Sequence, residues 1–178
     1  MDSTAPHLLH IVAFAVSLSF VWALLDAASS DAGGFRIANR VPLLLLAGFP
    51  LVGVLEGFAV QDWLVHAGVG FALFAAGAAL FAFRLWGGGD AKMVAAVGLW
   101  LGLGDLPRFL LVMSVVGGGL AIVALAARLS PVPTAGPLGA WRQRLARTRH
   151  IPYGLAIAAA GLDWWIGAAR SQIWGIGS

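Results

Sequence analysis

The chain has no cysteine, and Lys, Arg, Asp and Glu together make only 11% of its 178 residues. Without cysteine there are no disulfides, no cysteine-held zinc or iron–sulfur sites and no thiol nucleophile. With so little charge a soluble domain of this length would lack a polar shell. What is present instead is apolar: 60% of residues are hydrophobic, with a mean hydropathy of +0.89. That is the composition of an integral membrane protein. The net charge of +3 does not point to nucleic acid. The basic residues sit in short segments between apolar runs, where they read as topology signals. No basic stretch precedes the first apolar run, so it is expected to be a retained span rather than a cleaved signal.

A bilayer core takes about 20 apolar residues as helix. Six segments qualify as candidates, roughly 8–29, 41–60, 63–86, 90–104, 106–128 and 152–174. The expected fold is an all-α, polytopic membrane helix bundle with about six transmembrane helices and a single domain over 1–178. The fourth segment is short, covering about 20–22 Å against a hydrocarbon thickness of about 30 Å. It is expected to be re-entrant or interior, or, if it spans, to start below the membrane surface inside the bundle, with Asp90 at that end. With the amino terminus outside, nine of the 11 basic residues fall on the inner side. They are Arg36, Arg40, Arg84, Lys92, Arg128, Arg142, Arg144, Arg147 and Arg149; only Arg108 and Arg170 fall outside. Asp2, Glu56, Asp62, Asp105 and Asp163 lean outward. The positive-inside rule favours this orientation, which places Asp31 and Asp90 together on the cytoplasmic side. The basic loop 129–150 opens with Pro/Gly turn chemistry. Its Arg142, Arg144, Arg147 and Arg149 are expected to lie on anionic lipid headgroups, with a docking surface for a partner as the alternative. Trp63, Trp86, Trp164, Trp165 and Trp174 fall near predicted interfaces, as belt residues do.

Two acids carry the chemistry. Asp90 follows Gly87-Gly88-Gly89 and precedes an apolar run. One reading is a helix N-cap. Serine or threonine would cap without a charge to desolvate, so a carboxylate kept at the membrane also suggests function. Asp31 lies behind two serines and before Gly33 and Gly34. It reads as an ordinary loop acid or as a partner for Asp90, and Asp26 competes for that second role. Asn39 ahead of Pro42 suggests the cap of the second helix. Two carboxylates held close do not both ionise readily, and such a pair shares a proton. The ionised one takes a proton from water and the protonated one polarises a carbonyl. This chemistry needs no metal, cysteine or serine.

The residues Gly87 to Lys92, GGGDAK, match the G-x-G-D-x-K signature of the type IV prepilin peptidase family. Asp31 to Val41, DAGGFRIANRV, resembles that family's first motif. Ile151 to Leu162, IPYGLAIAAAGL, resembles the late Pro-Tyr-Gly segment of its small members that serve Flp, or tight-adherence, pili. The resemblance implies an aspartic endopeptidase of the bacterial inner membrane, multi-pass and without a cofactor. It would remove the basic leader of a prepilin at the cytoplasmic face. It implies Asp31 and Asp90 as the catalytic pair. Gly33, Gly34, Gly87, Gly88 and Gly89 are expected to give room for an extended substrate strand. Lys92 is grouped with the substrate-binding residues through its motif, although on a helix it points about 200° away from Asp90. It is expected to position the loop or meet lipid phosphate. Ala38 stands where many relatives have proline. Longer relatives carry a Cys-x-x-Cys insert and a methyltransferase activity; this chain has no cysteine, so the resemblance implies the cleavage reaction and leaves N-methylation open.

Other residues invite weaker readings. Asp62 and His66, four apart, are expected to form an interfacial pair, with an outer metal site including Glu56 as the alternative. His150 beside Pro152 is expected to be structural, Asp163 an interface anchor and Asp105 a cap. Gly117, Gly118 and Gly119 permit close helix packing. The rival class is a small transporter or channel using intramembrane acids. The chain shows no inverted repeat, and both key acids sit at one face.

Overall fold

A computed structural model of the chain describes residues 4–34, 36–129, 139–141, 143 and 151–174. Arg142, Arg144, Arg147, Arg149 and His150, and with them most of loop 129–150, lie outside the described residues. Among the described residues the long helices follow in chain order: α1 (Thr4–Gly34), α2 (Arg40–Leu55), α3 (Val60–Ala82), α4 (Gly88–Leu129) and α5 (Tyr153–Trp174). No strand occurs among the described residues. Three stretches among them are long and apolar enough to cross a membrane: Ile11–Gly34, Val60–Ala82 and Gly88–Leu129. Large apolar side chains such as Trp22, Leu43, Phe71, Leu111 and Ile122 are exposed on the outer faces. That inversion suits lipid rather than water as the surrounding solvent. The molecule is an all-α membrane helix bundle.

Helix α4 is not continuous. Gly102 adopts φ 64 and ψ −168, a conformation open essentially to glycine alone, and splits it into two arms. The arms correspond to the expected segments 90–104 and 106–128. The break leaves carbonyls at the end of the first arm without their i+4 partners. His66 of α3 meets one of them, its Nδ1 lying 2.6 Å from the Leu99 carbonyl oxygen. A carbonyl only accepts, so Nδ1 carries the proton. His66 therefore does not pair with Asp62, whose Oδ2 accepts from the Ala59 amide at 2.9 Å and ties the start of α3.

The first arm of α4 is interior, as its shortness suggested. Met93, Val94, Val97 and Trp100 are buried there against Phe20 and Leu24 of α1, Val41, Leu45 and Phe49 of α2, and Ile157 of α5. The Trp100 indole donates to the Leu45 carbonyl at 3.0 Å, locking α4 to α2. The second arm turns back along α5: a Cβ at Gly117 would lie 3.2 Å from the Tyr153 ring. Gly118 and Gly119 face open space, so only one of the three glycines serves close packing. Of the tryptophans expected near the interfaces, the side chain of Trp174 lies outside what the structure describes. Trp63, Trp86, Trp164 and Trp165 are half-buried and turn inward onto Phe49, Tyr153, Phe20 and Phe14. Asp105 accepts from the Trp164 indole at 2.7 Å, and Asp163 pairs with Arg108 through two bonds of 2.9 and 3.1 Å. Both acids thus tie the second arm of α4 to α5.

Candidate active site

Helix α1 runs farther than its apolar pattern suggested. It continues through Ser29 and Ser30, whose hydroxyls fold back onto the carbonyls of Asp26 and Ala27. Asp31 is therefore not a loop acid; it sits in the last turn of α1. It is 4% exposed and is the one buried polar or charged side chain among the described residues. A buried carboxylate needs donors, and α5 provides them. The first amides of a helix have no intrahelical acceptor. Pro152, just before α5, has no polar side chain to cap them. Asp31 caps them from another helix instead: the Gly154 amide donates to its Oδ2 at 2.8 Å, and the Leu155 amide also meets the carboxylate. The positive end of the helix dipole faces the same group.

This cap fixes residue 154 as glycine. A Cβ there would lie 2.7 Å from Asp31 Oδ2 and 2.9 Å from Ile37 Cδ1. Neither the amide nor the space was assigned a role from sequence. The signal was nevertheless visible, since Gly154 belongs to the Pro-Tyr-Gly segment.

Asp90 comes from the opposite direction. Helix α4 starts at Gly88, with Gly87 before it accepting the first intrahelical bond from Ala91. Asp90 is thus the third helical residue rather than the N-cap. Its Oδ2 reaches back to the Gly87 amide at 3.1 Å, the carboxylate half of a capping box. This fold-back uses the glycine, because a Cβ on Gly87 would lie 2.9 Å from that same oxygen.

Asp31 and Asp90 open onto one cavity of about 970 Å³ and are near enough for their charges to interact. Gly87, Gly88 and Gly89 line it too, with Ile37, Phe81, Trp86 and Tyr153 as apolar wall and Arg36 and Arg84 as exposed cations. Gly33 and Gly34 do not line it; they close α1, with open space where a Cβ would be. Lys92 faces elsewhere. Its Nζ donates to Asn39 Oδ1 at 3.2 Å, beside a separate apolar cavity of about 580 Å³ between α2, α3 and α4. Asn39 accordingly makes no side-chain cap on α2. Asp26 is also elsewhere, paired with Arg40 through bonds of 2.8 and 2.7 Å. Of the two candidates for the first acid, only Asp31 shares a cavity with Asp90. Among the described residues no group of three His, Cys, Asp or Glu could hold a metal ion.

Two carboxylates, a few backbone donors and an apolar wall thus meet at one cavity, a combination of groups suited to acid–base chemistry. Against known proteins, the model of the type IV leader peptidase family matches residues 18–122, a stretch containing both aspartates. The chain is similar to a prepilin leader peptidase/N-methyltransferase of Aeromonas hydrophila, 28% identical over 166 residues, which covers 89% of this chain and 49% of that protein. It is also similar to one of Neisseria gonorrhoeae, 33% identical over 88 residues, covering 49% of this chain and 23% of that protein. The chain spans about half the length, or less, of these curated relatives. No solved structure matches it.

Proposed function

The chain belongs to the type IV leader peptidase family, and from that membership we propose that it is an aspartic endopeptidase cleaving the leader from prepilins at the cytoplasmic face of a bacterial inner membrane. The observation that carries this reading is the meeting of Asp31 and Asp90 from separate helix ends on one cavity. The substrate is a short basic leader joined to an apolar helix. The helix stays in lipid, and the junction unwinds into the cavity, because a helical peptide bond is shielded by its own hydrogen bonds.

The pair shares one proton. Its ionised member removes a proton from water, which attacks the scissile carbonyl carbon. The protonated member donates to the carbonyl oxygen as the tetrahedral intermediate forms. Collapse breaks the C–N bond: the protonated carboxyl gives its proton to the leaving amine while the ionised one takes a hydroxyl proton from the intermediate, so the pair again shares one proton. Asp31 is oriented by the α5 amides and Asp90 by the Gly87 amide, so neither carboxylate has to be ordered when substrate arrives. Gly87, Gly88 and Gly89, at the start of α4, put no side chains on this wall of the cavity where the extended strand runs. The relatives are named for both cleavage and N-methylation; the Asp31/Asp90 site accounts for cleavage only. The purified protein in detergent, incubated with a synthetic prepilin, should release the leader. An intact substrate would refute the reading.

A further inference from the structure

Helices α2 and α3 end in the same way, with one difference that matters at the cavity. In α2 the Phe58 amide bonds the Gly53 carbonyl at 2.9 Å and the Gly57 amide bonds Val54 at 3.2 Å. In α3 the Leu85 amide bonds the Leu80 carbonyl at 2.9 Å and the Arg84 amide bonds Phe81 at 2.9 Å. Both are Schellman closures, which place one residue in the left-handed region and favour glycine there. In α2 that residue is Gly57, at φ 70. In α3 it is Arg84, at φ 59, the one non-glycine residue with positive φ among the described residues. A side chain at this conformation costs stability that glycine would not.

The strained side chain stands at the cavity that holds both aspartates. It is exposed, and among the described residues it makes neither an ion pair nor a side-chain hydrogen bond. The turn itself does not need arginine, since α2 makes the same turn without one. Strain kept at a site over-determined by its surroundings marks a functional demand. The demand here is for donors. A peptide drawn out of its helix for cleavage presents carbonyls that have lost their partners, and a guanidinium offers five N–H groups in a fixed fork. Arg84 also closes α3, a rigid element, so its backbone is fixed at the mouth while its side chain stays free to reach a substrate.

We propose that Arg84 is a substrate-binding residue for the cleavage reaction, donating hydrogen bonds to main-chain carbonyls of the unwound substrate segment. This rests on the peptidase reading of the Asp31/Asp90 cavity, and it assigns Arg84 a contact with substrate beside the bond rather than with the reacting atoms.

The test is Arg84→Gly in the full-length protein, with Arg84→Ala as a control that keeps the strain. Arg84→Gly is expected to raise Tm by a few degrees while raising KM for a synthetic prepilin about tenfold, with kcat little changed. Arg84→Ala should show the KM increase without the gain in Tm, and Arg84→Lys should recover part of the affinity. Replacing side chains in the substrate segment by alanine should leave the loss in Arg84→Gly unchanged, since the contact is to backbone. Unchanged KM in both Arg84→Gly and Arg84→Ala overturns the proposal. So does a KM increase that disappears when one acidic substrate side chain is removed. Wild-type protein that fails to cleave refutes the peptidase reading instead, and the Tm comparison stands apart from it.

Discussion

At the scale of the residue, the site depends on two carboxylates whose donors differ in origin. Asp90 is held by its own turn, through the Gly87 amide. Asp31 is held by a helix 123 residues later in the chain, through the Gly154 amide. Replacing either acid with asparagine keeps its shape and removes its proton chemistry. Asp31→Asn and Asp90→Asn should each lower cleavage by about 10²–10⁴-fold while the protein still inserts in the membrane, as quantified by immunoblot and by release of leader. Asp26→Asn should leave cleavage near wild type, because Asp26 spends its charge on Arg40. Gly154→Ala separates position from chemistry. Both aspartates remain, but the new methyl group occupies the space of Asp31 Oδ2 and Ile37. A carboxylate displaced by about 1 Å should cost about a hundredfold in kcat. KM should change little, since the methyl group does not face the mouth. A Gly154→Ala enzyme with normal kcat would show that α5 does not position Asp31.

At the scale of the element, what was legible in the sequence followed from composition and local pattern. Apolar runs of bilayer length mark the helices, and the glycine triplet marks the start of α4. The shortness of segment 90–104 already implied an interior helix. Less legible was whatever depends on a distant partner. The last turn of α1 is polar enough to read as loop, yet it stays helical because its serines bond back onto the helix and Asp31 is caught by α5. Asn39 has the residue type of a cap, but its side chain is taken by Lys92. Asp62 and His66 have the spacing of a pair, but each meets backbone instead. The boundary between segments 90–104 and 106–128 anticipated the fracture near Gly102, but not its positive-φ glycine, whose missing Cβ would lie 3.0 Å from the His66 ring. Gly102→Ala should therefore destabilise the bundle by about 1–3 kcal/mol. Reversible unfolding in mixed detergent would measure this, and an unchanged midpoint would show that the break is not strained for other residues.

At the scale of the whole molecule, charge and geometry combine to predict which face does the chemistry. Arg36 and Arg84 border the cavity, and Arg40 and Lys92 flank the adjoining helix ends. Arg108 meets Asp163, ten residues beyond Tyr153 and so about 15 Å farther along α5. The basic residues thus gather at the end of the bundle that holds Asp31 and Asp90. Membrane insertion retains such residues on the cytoplasmic side, which is where a leader still attached to its pilin would wait. Helix α3 offers a direct measurement. Its 23 residues extend about 35 Å, enough to cross the bilayer core. Val60 at one end and Leu85 just past the other are both exposed. The natural chain lacks cysteine, so Val60→Cys and Leu85→Cys each introduce the sole thiol. In intact cells whose outer membrane admits small reagents, a membrane-impermeant maleimide should label Val60→Cys. It should label Leu85→Cys only after the inner membrane is opened. The opposite pattern would place both aspartates outside the cytoplasm, away from the leader they are proposed to remove.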